Sequence, residues 1–225
     1  MITTNNAVFL HIAKTAGIWV KNILEPITVS HKFHSIPVEQ PELRNVFVFA
    51  RNPWDWYVSF YQFHTNGSET FKQQNEICPI LSMLPTLSFE EFIKNANSPT
   101  VEFKKKVFNL TKLHHLNSND ELKDVDCYIH ETWISSDKGY FQHIYDLYTK
   151  YAVMVGSLEN IRYDLITMLH QCKELTPELE MNIIQTVPVN VTYNKNDYRQ
   201  YYTTELAKYV EHANAGIIAD KGYTF

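Results

Sequence analysis

A chain of 225 residues that is 44% hydrophobic and carries 14 Tyr, 13 Phe and 4 Trp can bury one full core, and its polar stretches are too short to be disordered domains. Its formal net charge of -5 argues against a general nucleic-acid binder, which needs a basic stripe, and weighs against a long polyanionic acceptor. Cys78, Cys127 and Cys172 are odd in number and form no C-x-x-C pair, so they suggest neither a zinc site nor a disulfide framework and fit a reducing compartment.

No apolar run approaches the roughly 20 residues of a membrane span. Met1–Asn6 lacks a basic stretch followed by a cleavable apolar one, so a cytoplasmic location is expected. A single domain over 1–225 is expected as well.

The first informative stretch is Val8-Phe9-Leu10-His11-Ile12-Ala13-Lys14-Thr15-Ala16-Gly17-Ile18-Trp19-Val20-Lys21-Asn22-Ile23-Leu24. An apolar run stops at a small, Lys-bearing turn, and apolar residues resume at Val20, Ile23 and Leu24 with helical spacing. The pattern predicts strand, anion turn, helix. Amides at a helix start have no intrahelical acceptor and sit at the positive end of the dipole, so with Lys14 beside them they favour a phosphate. The small residues Ala16 and Gly17 allow close approach of a ligand, and Thr15 adds a hydroxyl. A Walker A loop is excluded, because there the Lys follows the second Gly.

Ile27–His34 contains a short predicted strand leading to a loop with Pro37 and Pro41. Val46-Phe47-Val48-Phe49-Ala50 is a continuous β-prone run, as in a parallel strand covered on both faces. It ends at Arg51-Asn52-Pro53, and Trp54–His64 then shows helical spacing. Two strand-turn-helix units predict an α/β sheet with both turns at the carboxyl edge.

From 65 to 120 the chain turns polar and predominantly helical, with a capping signal at Ser88 and a Lys triplet at 104–106 that reads as a solvated face. This is expected to be a helical insertion. Val125–Ile129 is compatible with another strand, Tyr140–Tyr151 with an aromatic helix, and Ala152–Gly156 with a buried strand followed by a helix through Leu169. A short helix starts at Pro177, 187–198 is a polar loop, and the last helix covers Glu205–Ala215.

His11-Ile12-Ala13-Lys14-Thr15-Ala16-Gly17 resembles the 5'-phosphosulfate turn of sulfotransferases, with Ala13 in place of Pro, Ala16 in place of Gly and Ile18 in place of Thr. Arg51-Asn52-Pro53 with Ser59, eight residues on, resembles the 3'-phosphate motif of the same family. Val155–Ile161, Tyr198-Arg199-Gln200-Tyr201-Tyr202 and Gly222–Phe225 are similar to the tail of its carbohydrate-type branch. The resemblance implies a P-loop-like parallel sheet flanked by helices and a donor, 3'-phosphoadenosine 5'-phosphosulfate (PAPS), released as the bisphosphate PAP.

The family pattern further implies that Lys14 stabilises the leaving oxygen and that Thr15, Ala16, Gly17, Ile18 and Trp19 cradle the 5' group through backbone amides. Arg51 and Ser59 would hold the 3' phosphate, and Tyr193 and Lys195, with Asn190 and Thr192, would close over the nucleotide. The general base would be His34, His31 or Glu39. His11, flanked by strand residues, reads as structural, and Glu159 and Asn160 as loop-holding. No metal is required. The acceptor would be a hydroxyl or amine on a carbohydrate or small molecule. A catalytically silent nucleotide- or anion-binding module and a P-loop nucleotide kinase are the competing classes.

Overall fold

The computed structural model describes residues 1–32, 45–65, 86–117, 121–187 and 197–225, with the side chains of 110–127 left aside. The chain divides into two compact units: Met1–Arg51 with Tyr145–Lys195, and Asn52–Ile144 with Asn196–Phe225.

The first unit is built on a five-stranded sheet of order β3-β1-β2-β4-β5, with β1 Ile2–Thr3, β2 Val8–Phe9, β3 Ser30–His31, β4 Val46–Ala50 and β5 Met154–Ser157. β2, β4 and β5 are parallel, while β1 pairs antiparallel with both β2 and β3. The sheet is therefore mixed, which corrects the expectation of a wholly parallel one. The reason is local: β1 returns to β2 through the tight turn of Thr4 to Ala7, where Thr4 N and Oγ1 donate to Ala7 O at 2.9 and 3.0 Å. So short a link can join only antiparallel neighbours.

Because β3 is antiparallel to β1, it runs in the same sense as β2. One row of the sheet reads His31, Ile2, Phe9, Phe47, Met154. Every residue of β4 is buried, as its unbroken apolar run requires. Three helices supply the core on one face: α1 (Gly17–Leu24), and two C-terminal helices at Ile161–Gln171 and Pro177–Gln185. Trp19, Val20, Ile23 and Leu24 pack there with Phe9, Phe47, Phe49, Leu165, Leu169 and Ile183. Phe9 stacks on Phe47 at 5.3 Å between ring centroids, a contact that adds about 0.5–1.5 kcal/mol to the area buried.

The second unit is helical. It contains α2 (Pro53–Thr65), α3 (Phe89–Asn97), α4 (Val101–Asn117) and α5 (Glu121–Ile134), and it takes in the start of α6 (Tyr140–Thr149). In chain order α7 and α8 are the two C-terminal helices of the first unit, and α9 (Thr204–Ala213) and α10 (Ala215–Lys221) close the second. Helical structure thus continues past 120 to Ile134, and Val125–Ile129 is helix rather than strand. A five-residue stretch such as Val-Asp-Cys-Tyr-Ile carries no period that separates the two states, and here the longer helix prevails.

α3 opens with a capping box: Glu91 N donates to Ser88 Oγ at 3.3 Å and Ser88 N donates to Glu91 Oε2 at 2.8 Å. Inside this unit Trp56 lies flat on Phe141, 4.3 Å between centroids and 7° between planes. The expected terminal helix is broken at Asn214, which is fully buried. Its Nδ2 donates to Asn97 Oδ1 at 2.8 Å, and its Oδ1 accepts from Gln142 N at 3.0 Å.

Candidate functional site

β2 and β4 lie side by side and parallel, so the turns that follow them leave the sheet at one edge. Pairing runs on past β2, where Leu10 N donates to Phe47 O at 3.0 Å. The chain then makes a tight excursion through Ile12–Ala16 before α1 begins. Lys14 and Ala16 both take left-handed backbone conformations, φ 64° and 61°, and Ala16 is the N-cap of α1 without a side-chain cap bond. L-residues adopt this region at a cost of roughly 1–2 kcal/mol each.

The hydroxyl of Thr15 is buried and donates to Ile12 O at 2.8 Å. That bond braces the turn from inside and leaves Thr15 its backbone amide to offer a ligand. Gly17 has a further reason to be small: a Cβ built there would lie 1.8 Å from both Cδ2 and Nε2 of His11. Ile18 is 44% exposed at the start of α1, whereas Trp19 is buried and its Nε1 donates to Thr186 O at 3.3 Å. Of these two, Trp19 has its ring in the core and faces the turn with its amide alone.

Arg51, at the carboxyl end of β4, donates from Nη1 to the backbone carbonyl of Lys14 at 3.0 Å. The two cations expected to hold one nucleotide are therefore neighbours. Lys14 is half-buried, and burial first, then the charge of Arg51, lowers its pKa to about 7. Burial disfavours the ammonium and a like charge adds to the penalty, so an anion between them would offset both effects by favouring the charged form.

His31 lies at the outer edge of the sheet in β3 and is exposed. With Ile2, His11, Gly17, Ile18 and Lys21 it lines a hollow beside the first turn of α1. Partial burial, followed by the charge of Lys21, lowers its pKa from the ordinary histidine value. It is mostly neutral near pH 7 and able to accept a proton. Ser59 sits half-buried in α2, within the second compact unit. His34, Glu39, Asn190, Thr192, Tyr193 and Lys195 lie outside the described residues.

β5 contributes a third strand end at the same edge. Leu158–Asn160 forms a 3-10 turn there, and Ser157 N donates to Asp164 Oδ2 at 2.7 Å. Asp164 was not legible from the sequence, since a carboxylate in a helix reads as solvated surface. Arg162 was missed too: its Nε and Nη2 donate to Ile183 O and Thr186 O at 3.1 and 2.9 Å. Those bonds hold the carboxyl end of α8, on which Trp19 also closes.

Among the described residues no group of three or more His, Cys, Asp or Glu could hold a metal ion, and no helix is long and apolar enough to cross a membrane. No protein-family model, curated protein or solved structure matches the chain. Fold and site together define an α/β protein in which adjacent parallel strands end in a Lys14/Arg51 pair beside a helix start.

Proposed function

We propose that the protein is a sulfotransferase that uses PAPS and passes its sulfuryl group to a hydroxyl or amine on a carbohydrate or small molecule. The observation that carries this reading is the Arg51–Lys14 contact at 3.0 Å, which brings together two turns far apart in the chain, each with the residue types that suit a phosphate. The P-loop-like character of the sheet belongs to the same proposal and draws support from the parallel β2, β4 and β5 with their turns at one edge.

In this reading the acceptor oxygen or nitrogen attacks sulfur in line with the departing 5'-phosphate oxygen. One S–O bond breaks as the new bond to sulfur forms. The acceptor proton passes to His34 or His31, and the charge left on the phosphate is met by Lys14 and by the amides of Thr15 to Trp19 at the start of α1. Arg51 binds the 3' phosphate.

Calorimetric titration with PAP and with ATP, followed by transfer of labelled sulfate from PAPS to a panel of sugars and phenols, tests the assignment. PAP binding with transfer supports it. Preference for ATP overturns it in favour of a kinase, and PAP binding with no transfer to any acceptor favours a silent binding module.

A further inference from the structure

We infer that His11 is a positioning residue that closes the anion turn, holding the first amides of α1 in line for the donor's 5' group; the inference rests on the sulfotransferase reading. The chain leaves β2 at His11, makes its excursion through Ile12–Ala16 and returns at Gly17 directly against the His11 ring. The imidazole occupies the space that a Cβ at Gly17 would take, with Cδ2 and Nε2 at 1.8 Å and Cγ at 2.3 Å from that position. The ring is also stacked with Phe9, centroids 6.0 Å apart and planes 21° apart. Phe9 is 1% exposed and belongs to the core.

The His11 ring thus neighbours both Phe9 in the sheet and the Gly17 backbone at the helix start, and links the two. Between His11 and Gly17 in the chain lie the left-handed residues Lys14 and Ala16. Such backbone conformations persist only where the surroundings over-determine them. The His11 ring supplies that determination by volume and flatness, and no proton transfer at the imidazole is required. A ring of similar shape serves equally well, and a methyl does not.

The test uses H11A, H11F, G17A and the pair H11A/G17A in the full chain, with PAP affinity by calorimetry, melting temperature, and amide exchange of residues 13–18 in the free protein. H11A is expected to weaken PAP binding by about tenfold or more, as the loss of roughly one amide hydrogen bond to a charged phosphate would. H11F is expected to bind PAP within about threefold of the parent on the same scale. G17A weakens binding, and H11A/G17A recovers part of that loss because the new methyl fills the vacated space.

Parent-like PAP affinity in H11A overturns the inference, as does a loss in H11F equal to that in H11A. If H11F binds PAP but loses all transfer, His11 acts chemically and the positioning role is overturned. If the parent chain binds no PAP, the sulfotransferase reading fails by itself. Amide exchange then decides the lock: faster exchange at 13–18 in H11A but not in H11F upholds it, and unchanged exchange in H11A overturns it.

Discussion

The guanidinium of Arg51 donates to the backbone carbonyl of Lys14 across 3.0 Å, tying the carboxyl ends of β2 and β4 to one another. Arg51 therefore has two tasks in the proposed site: it presents positive charge to a phosphate, and it fixes the backbone that carries the neighbouring lysine.

Arg51→Ala removes both. A hydrogen bond to a charged group contributes about 1.5–3 kcal/mol, so PAP affinity is expected to fall roughly 10- to 150-fold. Arg51→Lys restores the charge without the planar fork and is expected to recover only part of the loss. Calorimetric titration of the two variants checks both expectations, and unchanged affinity in Arg51→Ala would remove the clamp.

Lys14 makes donor binding depend on pH. Its pKa is lowered to about 7 by burial and by Arg51, and a bound phosphate favours the ammonium, so binding takes up a proton and affinity falls as pH rises through 7. Titrations in buffers of different ionisation enthalpy read the proton uptake directly. For the free protein the sign is as follows: between pH 7 and the ordinary lysine range the unfolded chain holds more protons than the folded one, so this group makes stability rise with pH over that interval. Lys14→Met is expected to flatten that rise in a pH series of denaturant unfolding curves.

Ala16→Gly is expected to stabilise the protein by about 1 kcal/mol. The residue sits at φ 61°, where glycine bears no steric penalty, and greater freedom of glycine in the unfolded chain offsets part of the gain. A shift of the urea midpoint at constant slope measures it. A lower midpoint would mean that the alanine methyl makes contacts worth more than the strain.

Asn52 works at both ends of its amide. Its Oδ1 accepts from Trp54 N at 3.0 Å to cap α2, and its Nδ2 donates to Thr224 O at 3.2 Å. Asn52→Asp keeps the cap and loses the donor, at a cost of about 0.5–1.5 kcal/mol. Asn52→Ala loses both, and the cap alone is worth about 1 kcal/mol. Equal unfolding curves for the two variants would show that the tie to Thr224 carries the whole effect.

For the proton acceptor, His34→Ala is expected to leave PAP affinity within about twofold while transfer falls by about a hundredfold or more, the usual range for general-base removal. If His34→Ala transfers at the parent rate and His31→Ala does not, the base is His31, in the hollow beside Gly17. Initial rates with labelled PAPS distinguish the two.

Features whose cause lies within a few neighbouring residues were readable in the chain. The run Val46–Ala50 became a buried strand, Ser88 and Glu91 formed their capping box, and Pro53 and Pro177 opened helices, because hydrophobic period, cap chemistry and fixed proline φ act locally. The Lys14 turn and the Arg51 junction were visible for the same reason, as strand-to-helix breaks with phosphate-suited residues.

Partnerships between distant segments were decided by the tertiary structure. Whether Val125–Ile129 was strand or helix, that β1 runs antiparallel, that Gly17 must be small for His11, and that Arg51 meets the Lys14 carbonyl each depend on what is packed nearby. Local sequence determined which residue types with chemistry suited to an anion stand at each turn. Only the folding of β2 beside β4 determined that Lys14 and Arg51 stand together, because the alignment of two parallel strands is set by the side chains of the whole core and not by either turn.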